Sequence, residues 1–100
     1  MPHAGLPGLA RVDHIGFTVP DLDEATAFFV DVLGCEYLYP LGPFSDAEGD
    51  WMTEHLGVHP RAVIEQNRFF RCGGQAIFEV FKYTSPDQAT VCPRNSDIGG

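Results

Sequence analysis

The chain has 100 residues, 44% apolar and 20% charged, which suits one small domain with a thin core and argues against global disorder. Fourteen acidic against six basic residues give a net charge of −8, so a nucleic acid or an anionic membrane surface is not an expected partner. No apolar run approaches the ~18 residues of a membrane span. The three cysteines, Cys35, Cys72 and Cys92, include no CxxC pair and are odd in number. That pattern points to reduced thiols in a cytoplasmic protein, not to a disulfide framework or a zinc knuckle.

Residues 1–10 are punctuated by Pro and Gly and read as a flexible lead-in without the apolar core of a signal peptide. Val12 to Val19 alternates as a strand does. Asp13, Ile15, Phe17 and Val19 share one side; Val12, His14, Gly16 and Thr18 share the other. Pro20 ends that strand. Asp21, with Glu24 three residues on, opens a helix in the manner of a capping box. Leu22, Ala25, Phe29, Val32 and Leu33 fall at helical spacing and predict its buried stripe. Gly34 follows as a C-terminal glycine.

Cys35 to Leu41 is a second strand, ended by Pro40 and Gly42. The next ten residues, LGPFSDAEGD, have loop composition, and Trp51 to Gly57 reads as one helical turn. Ala62 to Cys72 is a third strand of poor alternation. Gly73-Gly74 signals a hairpin, and Gln75 to Tyr83 is the fourth strand. Residues 84–100, rich in Pro, Asn and Gly, read as a linker or tail. The order strand, helix, strand, strand, strand predicts an α+β fold of βαβββ type. One helix covers one sheet face, so the other must meet a second layer, a partner or solvent.

Two residues carry the chemistry. Glu79 sits mid-strand on the side of Gln75, Ile77, Phe81 and Tyr83, and a carboxylate buried there needs a cation, several donors or a metal. His14 sits mid-strand among small residues. Neutral imidazole and carboxylate together supply half of a four-ligand site for a divalent ion. Two blander readings stand beside this one: His14 as a hydrogen-bonded core residue, and Glu79 as an ion-pair partner of Arg68 or Arg71 across the hairpin. His55 and His59, four apart in EHLGVHP, form a weaker candidate because Gly57 and Pro60 interrupt the helix. The cysteines have no neighbouring base motif that would make one a nucleophile.

The segment VDHIGFTVPDLDEATAFFVDVLG resembles the opening of vicinal oxygen chelate proteins, the glyoxalase/bleomycin-resistance/dioxygenase superfamily. RFFRCGGQAIFEVFKY resembles that family's closing hairpin. The likeness covers residues 11–83. It implies an N-terminal-type module, half of a paired-module cup, with His14 and Glu79 as metal ligands facing the cup and Glu79 also able to act as a catalytic base. The metal would be zinc, nickel, iron, cobalt or manganese. The remaining ligands would come from a homodimer partner or from a second module of the same chain, the resemblance implying that the sequence stops before that module begins.

The resemblance further implies a metal-dependent, glyoxalase-like lyase or isomerase. Its substrate would be a small metabolite with vicinal oxygens, processed through an enediolate or enolate. Two alternatives share the family: a metal-free ligand-sequestering protein of bleomycin-resistance type, in which Tyr39, Trp51, Phe69, Phe81 and Tyr83 line the cup, and an extradiol-type dioxygenase.

Overall fold

A computed structural model of the chain describes residues 5–100; the first part of the expected lead-in lies outside the described residues. The first strand pairs over a shorter run than its alternation predicts: β1 is Ile15–Thr18. It is followed by α1 (Leu22–Ala27), a π-helical turn (Phe28–Val32), β2 (Glu36–Leu41), α2 (Trp51–Leu56), β3 (Val63–Cys72) and β4 (Ala76–Thr84). The fold is α+β, with one mixed four-stranded sheet in the order β1-β4-β3-β2. β1 runs parallel to β4; β3 is antiparallel to both β4 and β2. The architecture is compatible with the expected βαβββ arrangement. No helix among the described residues is long and apolar enough to cross a membrane.

The helix begins where Asp21 can cap it. Its Oδ1 accepts from the backbone N–H groups of Asp23 and Glu24 at 2.9 and 3.0 Å. From there the helix lies across one face of the sheet. Leu22, Phe29, Cys35, Phe70 and Val80 form the buried cluster, with Val19, Ala25, Val30, Cys72 and Phe78 packed against it. The Phe29 ring stacks on Phe70 with centroids 5.0 Å apart, and Phe17 meets Phe29 and Phe78 from β1. Arg68 braces the helix start: its Nη1 donates to Leu22 O, Asp23 Oδ1 and Thr26 Oγ1.

The expected stripe fails at its last two positions, since Val32 and Leu33 are exposed. The π turn is the reason. The Leu33 N–H donates to Phe28 O, a five-residue reach, and the wider turn rotates later side chains away from the sheet. Gly34 then takes φ 75°, and Cys35 N–H donates back to Phe29 O.

Two further expectations are corrected. The hairpin has a three-residue loop, residues 73–75, because Cys72 pairs with Ala76 and Gly73 takes φ 69°. The cysteines are not all reduced thiols: Cys35 and Cys72 form a disulfide, and Cys92 is a free, exposed cysteine. Strand register brings the pair together. Glu36 pairs with Arg71 across β2 and β3, which sets the residue before β2 beside the last residue of β3. The thiol argument for a cytoplasmic location loses its basis at these two positions.

The segment read as loop between β2 and α2 has its own internal order. Asp46 Oδ1 accepts from the N–H groups of Glu48 and Gly49, its Oδ2 accepts from Trp51, and Arg61 donates to the carbonyls of Asp46 and Gly49. Phe44 pairs with Ile64 in an isolated bridge. Thr84, read as the start of a linker or tail, closes β4, and residues 85–100 contain no helix or strand.

Candidate functional site

The sheet's second face carries the polar side chains singled out in the sequence. Strand pairing fixes which residues share it. Gly16 lies opposite Glu79, Thr18 and Asn67 opposite Phe81, and Phe69 opposite both Glu79 and Tyr39. His14 precedes β1 by one residue, in phase with Gly16. That places it diagonal to Glu79, within reach across two adjacent strands.

The two side chains meet. His14 Nε2 lies 3.1 Å from Glu79 Oε1, with the imidazole 40% and the carboxylate 15% exposed. The glutamate's other oxygen, Oε2, accepts from Asn67 Nδ2 at 2.6 Å. The other ring nitrogen, Nδ1 of His14, is 2.8 Å from Asp13 Oδ2. A carboxylate can only accept, so Nδ1 carries a proton and donates it. The ring therefore sits between two carboxylates, one at each nitrogen. Its hydrogen bond to Asp13, together with the charges of Glu79 and Asp13, raises the pKa of His14 against an opposing desolvation. The same hydrogen bond holds the Asp13 carboxyl below its ordinary value.

The neighbours are aromatic. Phe69 meets the imidazole edge-on with centroids 6.0 Å apart, and Tyr39 lies against Phe69 at 4.8 Å. Phe81 packs on Tyr83 at 5.4 Å, and burial and the Glu79 charge raise the Tyr83 pKa. Gly16 makes room for this layer. A Cβ there would stand 3.0 Å from Phe81 Cε2, so the missing side chain lets the Phe81 ring lie over β1.

The blander partners for Glu79 are not used. Arg68 points to the helix side, and Arg71 pairs with Glu36 at 2.9 Å. His55 and His59 do not converge either. His55 Nδ1 lies 3.1 Å from Trp51 O within α2, whereas His59 Nδ1 accepts from Arg61 N–H beyond Gly57, whose φ of 67° ends the helix. A cleft of about 480 Å³ opens on the helix side, lined in part by Asp21, Asp23, Gln66, Arg68 and Lys82. Its cations are already committed, Arg68 as described and Lys82 to Pro20 O. We read it as bracing, away from the His14–Glu79 pair.

One imidazole nitrogen and one carboxylate oxygen converge at 3.1 Å, and each group's other polar atom is held by Asp13 or Asn67. This outer support is what metal-ligating His and Glu side chains require. Among the described residues, no group of three or more His, Cys, Asp and Glu side chains gathers at one point. The pair could supply two ligands to a divalent ion, with further donors needed from outside the described residues. Sequence reasoning missed Asn67, because β3 shifts register between Ile64 and Gln66 and its alternation breaks there. Counting back from the Gly73 hairpin would have found it, since that register runs unbroken from Cys72 to Asn67.

Fold and site together define an α+β module with a His–Glu pair set on the uncovered face of its sheet. The chain is similar to a 2-epi-5-epi-valiolone epimerase from Actinomyces sp., with 45% identity over 100 residues. It spans about half the length of that relative, 53%. No family model matches the chain.

Proposed function

We propose that the chain is one half of a metal-dependent isomerase of epimerase type, acting on a small sugar-like metabolite with neighbouring oxygens. The single observation that carries this is the convergence of His14 Nε2 and Glu79 Oε1 on an open, aromatic-lined face. The likeness to an epimerase favours isomerisation over the lyase branch of the same chemistry. A second copy, or a further module of a longer chain, would complete the ligand set and cover the face.

Inverting one carbon centre requires a C–H bond to break and re-form on the opposite side. That bond is acidic enough only beside a carbonyl, and only if the charge reaching the oxygen is stabilised. A divalent cation held by His14 and Glu79 would supply that Lewis-acid stabilisation. Within this chain, Asp13 accepts from Nδ1 and orients the imidazole, so that Nε2, which faces Glu79, is the nitrogen that would exchange its proton for a cation. Asn67 donates to Oε2 of Glu79, and Oε1 faces the open side, where it would serve as ligand or as the base that takes the proton from one face of the carbon, an acid of the second copy or module returning a proton to the other face. Phe69 and Phe81 exclude water from one side of the pair.

Two measurements test the reading. Metal analysis should find divalent ion in the purified chain and little in the His14→Ala Glu79→Ala double variant; equal metal in both overturns it at these residues. Incubation of the metal-loaded protein with 2-epi-5-epi-valiolone in D2O should place one deuteron on an inverted carbon. A metal-free, ligand-sequestering role has one observation in its favour: the two side chains already satisfy each other as an ion pair. Tight substrate binding without deuterium incorporation, unaffected by chelators, would select it.

A further inference from the structure

Asn67 is 2% exposed, and its buried Oδ1 has no hydrogen-bond partner among the described residues. Its Nδ2 donates to Glu79 Oε2 at 2.6 Å. The orientation of this amide is fixed by chemistry. Turned over, it would set Oδ1 against a carboxylate oxygen, and neither atom could donate. A buried oxygen left unpaired destabilises the fold. An apolar residue of similar size would fill the same space without that cost. What only the amide provides is a donor aimed at Glu79.

We infer that Asn67 is a positioning residue for Glu79. By holding Oε2 it fixes the carboxylate in the rotamer that presents Oε1, and Oε1 alone, to His14 Nε2 and the open face. The hairpin register, unbroken from Cys72 to Asn67, sets the side chain there. In that register Asn67 faces Phe81, diagonal to Glu79, instead of standing on the helix side. Packing density follows from any side chain of this volume. Single-oxygen presentation follows only from the donor. The metal consequence of this inference rests on the function proposed above; the positioning of Glu79 does not.

The test has two arms. In crystals of the metal-free Asn67→Leu chain, Glu79 Oε1 should leave its place 3.1 Å from His14 Nε2. In a cobalt(II) titration followed by visible absorption, Asn67→Leu should weaken binding about 10–100-fold and alter the absorption band. In a Glu79→Ala background the same substitution should change nothing further, an outcome that a merely structural role would not give. Asn67→Asp, nearly isosteric but accepting only, keeps the test open should the leucine variant fail to fold, and should displace Glu79 as well. Glu79 unmoved in the crystal of the variant that folds, or cobalt affinity and spectrum unchanged, overturns the inference. If the native chain binds no cobalt, the metal reading falls, and the crystals alone decide the role of Asn67.

Discussion

The two faces of the sheet differ more than their shared strands suggest. On β4, Val80 is fully buried beneath the helix, while Glu79, one residue earlier, turns to the uncovered side with His14 and Asn67. On β3, Phe70 stacks under Phe29, while Phe69 meets the His14 ring. The covered face holds apolar rings that need only to be dry. The uncovered face holds groups each oriented by a named partner. Adjacent residues of one strand thus answer to different physics, and a substitution can be aimed at either.

The sharpest contrast comes from neighbouring phenylalanines. Phe70→Ala empties the core and should cost about 3–5 kcal/mol in urea unfolding. Phe69→Ala removes a ring that is only partly buried and should cost about 1–2 kcal/mol, while loosening His14. Equal losses would break the distinction between the faces. Next comes the disulfide, which belongs to the covered side through Cys35. Replacing Cys35 and Cys72 by alanine should lower stability by about 2–4 kcal/mol, given the length of chain that the bond closes. An unchanged unfolding midpoint would mean that strand pairing alone holds β2 in place.

The smallest effect belongs to neither face. Asp46 accepts backbone N–H bonds from Gly49, Glu48 and Trp51, which together hold its pKa below the ordinary 3.8. A depressed folded-state pKa stabilises the fold above the unfolded value, and that stabilisation is lost as pH falls through the folded one. The gap in urea midpoint between the native chain and Asp46→Ala should therefore be constant near about pH 6 and narrow towards about pH 3. A gap independent of pH would remove the carboxylate from the account.

Much of this was readable from residue order. Strand parity grouped His14 with Gly16 and Glu79 with Phe81, because side chains alternate along a strand; that the two groups share a face came from the family resemblance. Asp21 announced the helix start, and Gly57 stopped α2 with φ 67°. What stayed hidden depended on breaks in regular periods or on register. The π turn undid helical phase at Val32 and Leu33. The register shift near Gln66 concealed Asn67. The Cys35–Cys72 bond follows from how β2 slides along β3, which local composition does not encode.

The parallel pairing of β1 with β4 joins the first strand to the last. The contact between His14 and Glu79 consequently spans most of the sheet's chain length, and forming it must overcome the entropy of closing everything between. The pair works as a seal on the finished fold. Anything that bridges it draws on the global folding equilibrium rather than on a local flap, so occupancy and intactness of the whole sheet rise and fall together.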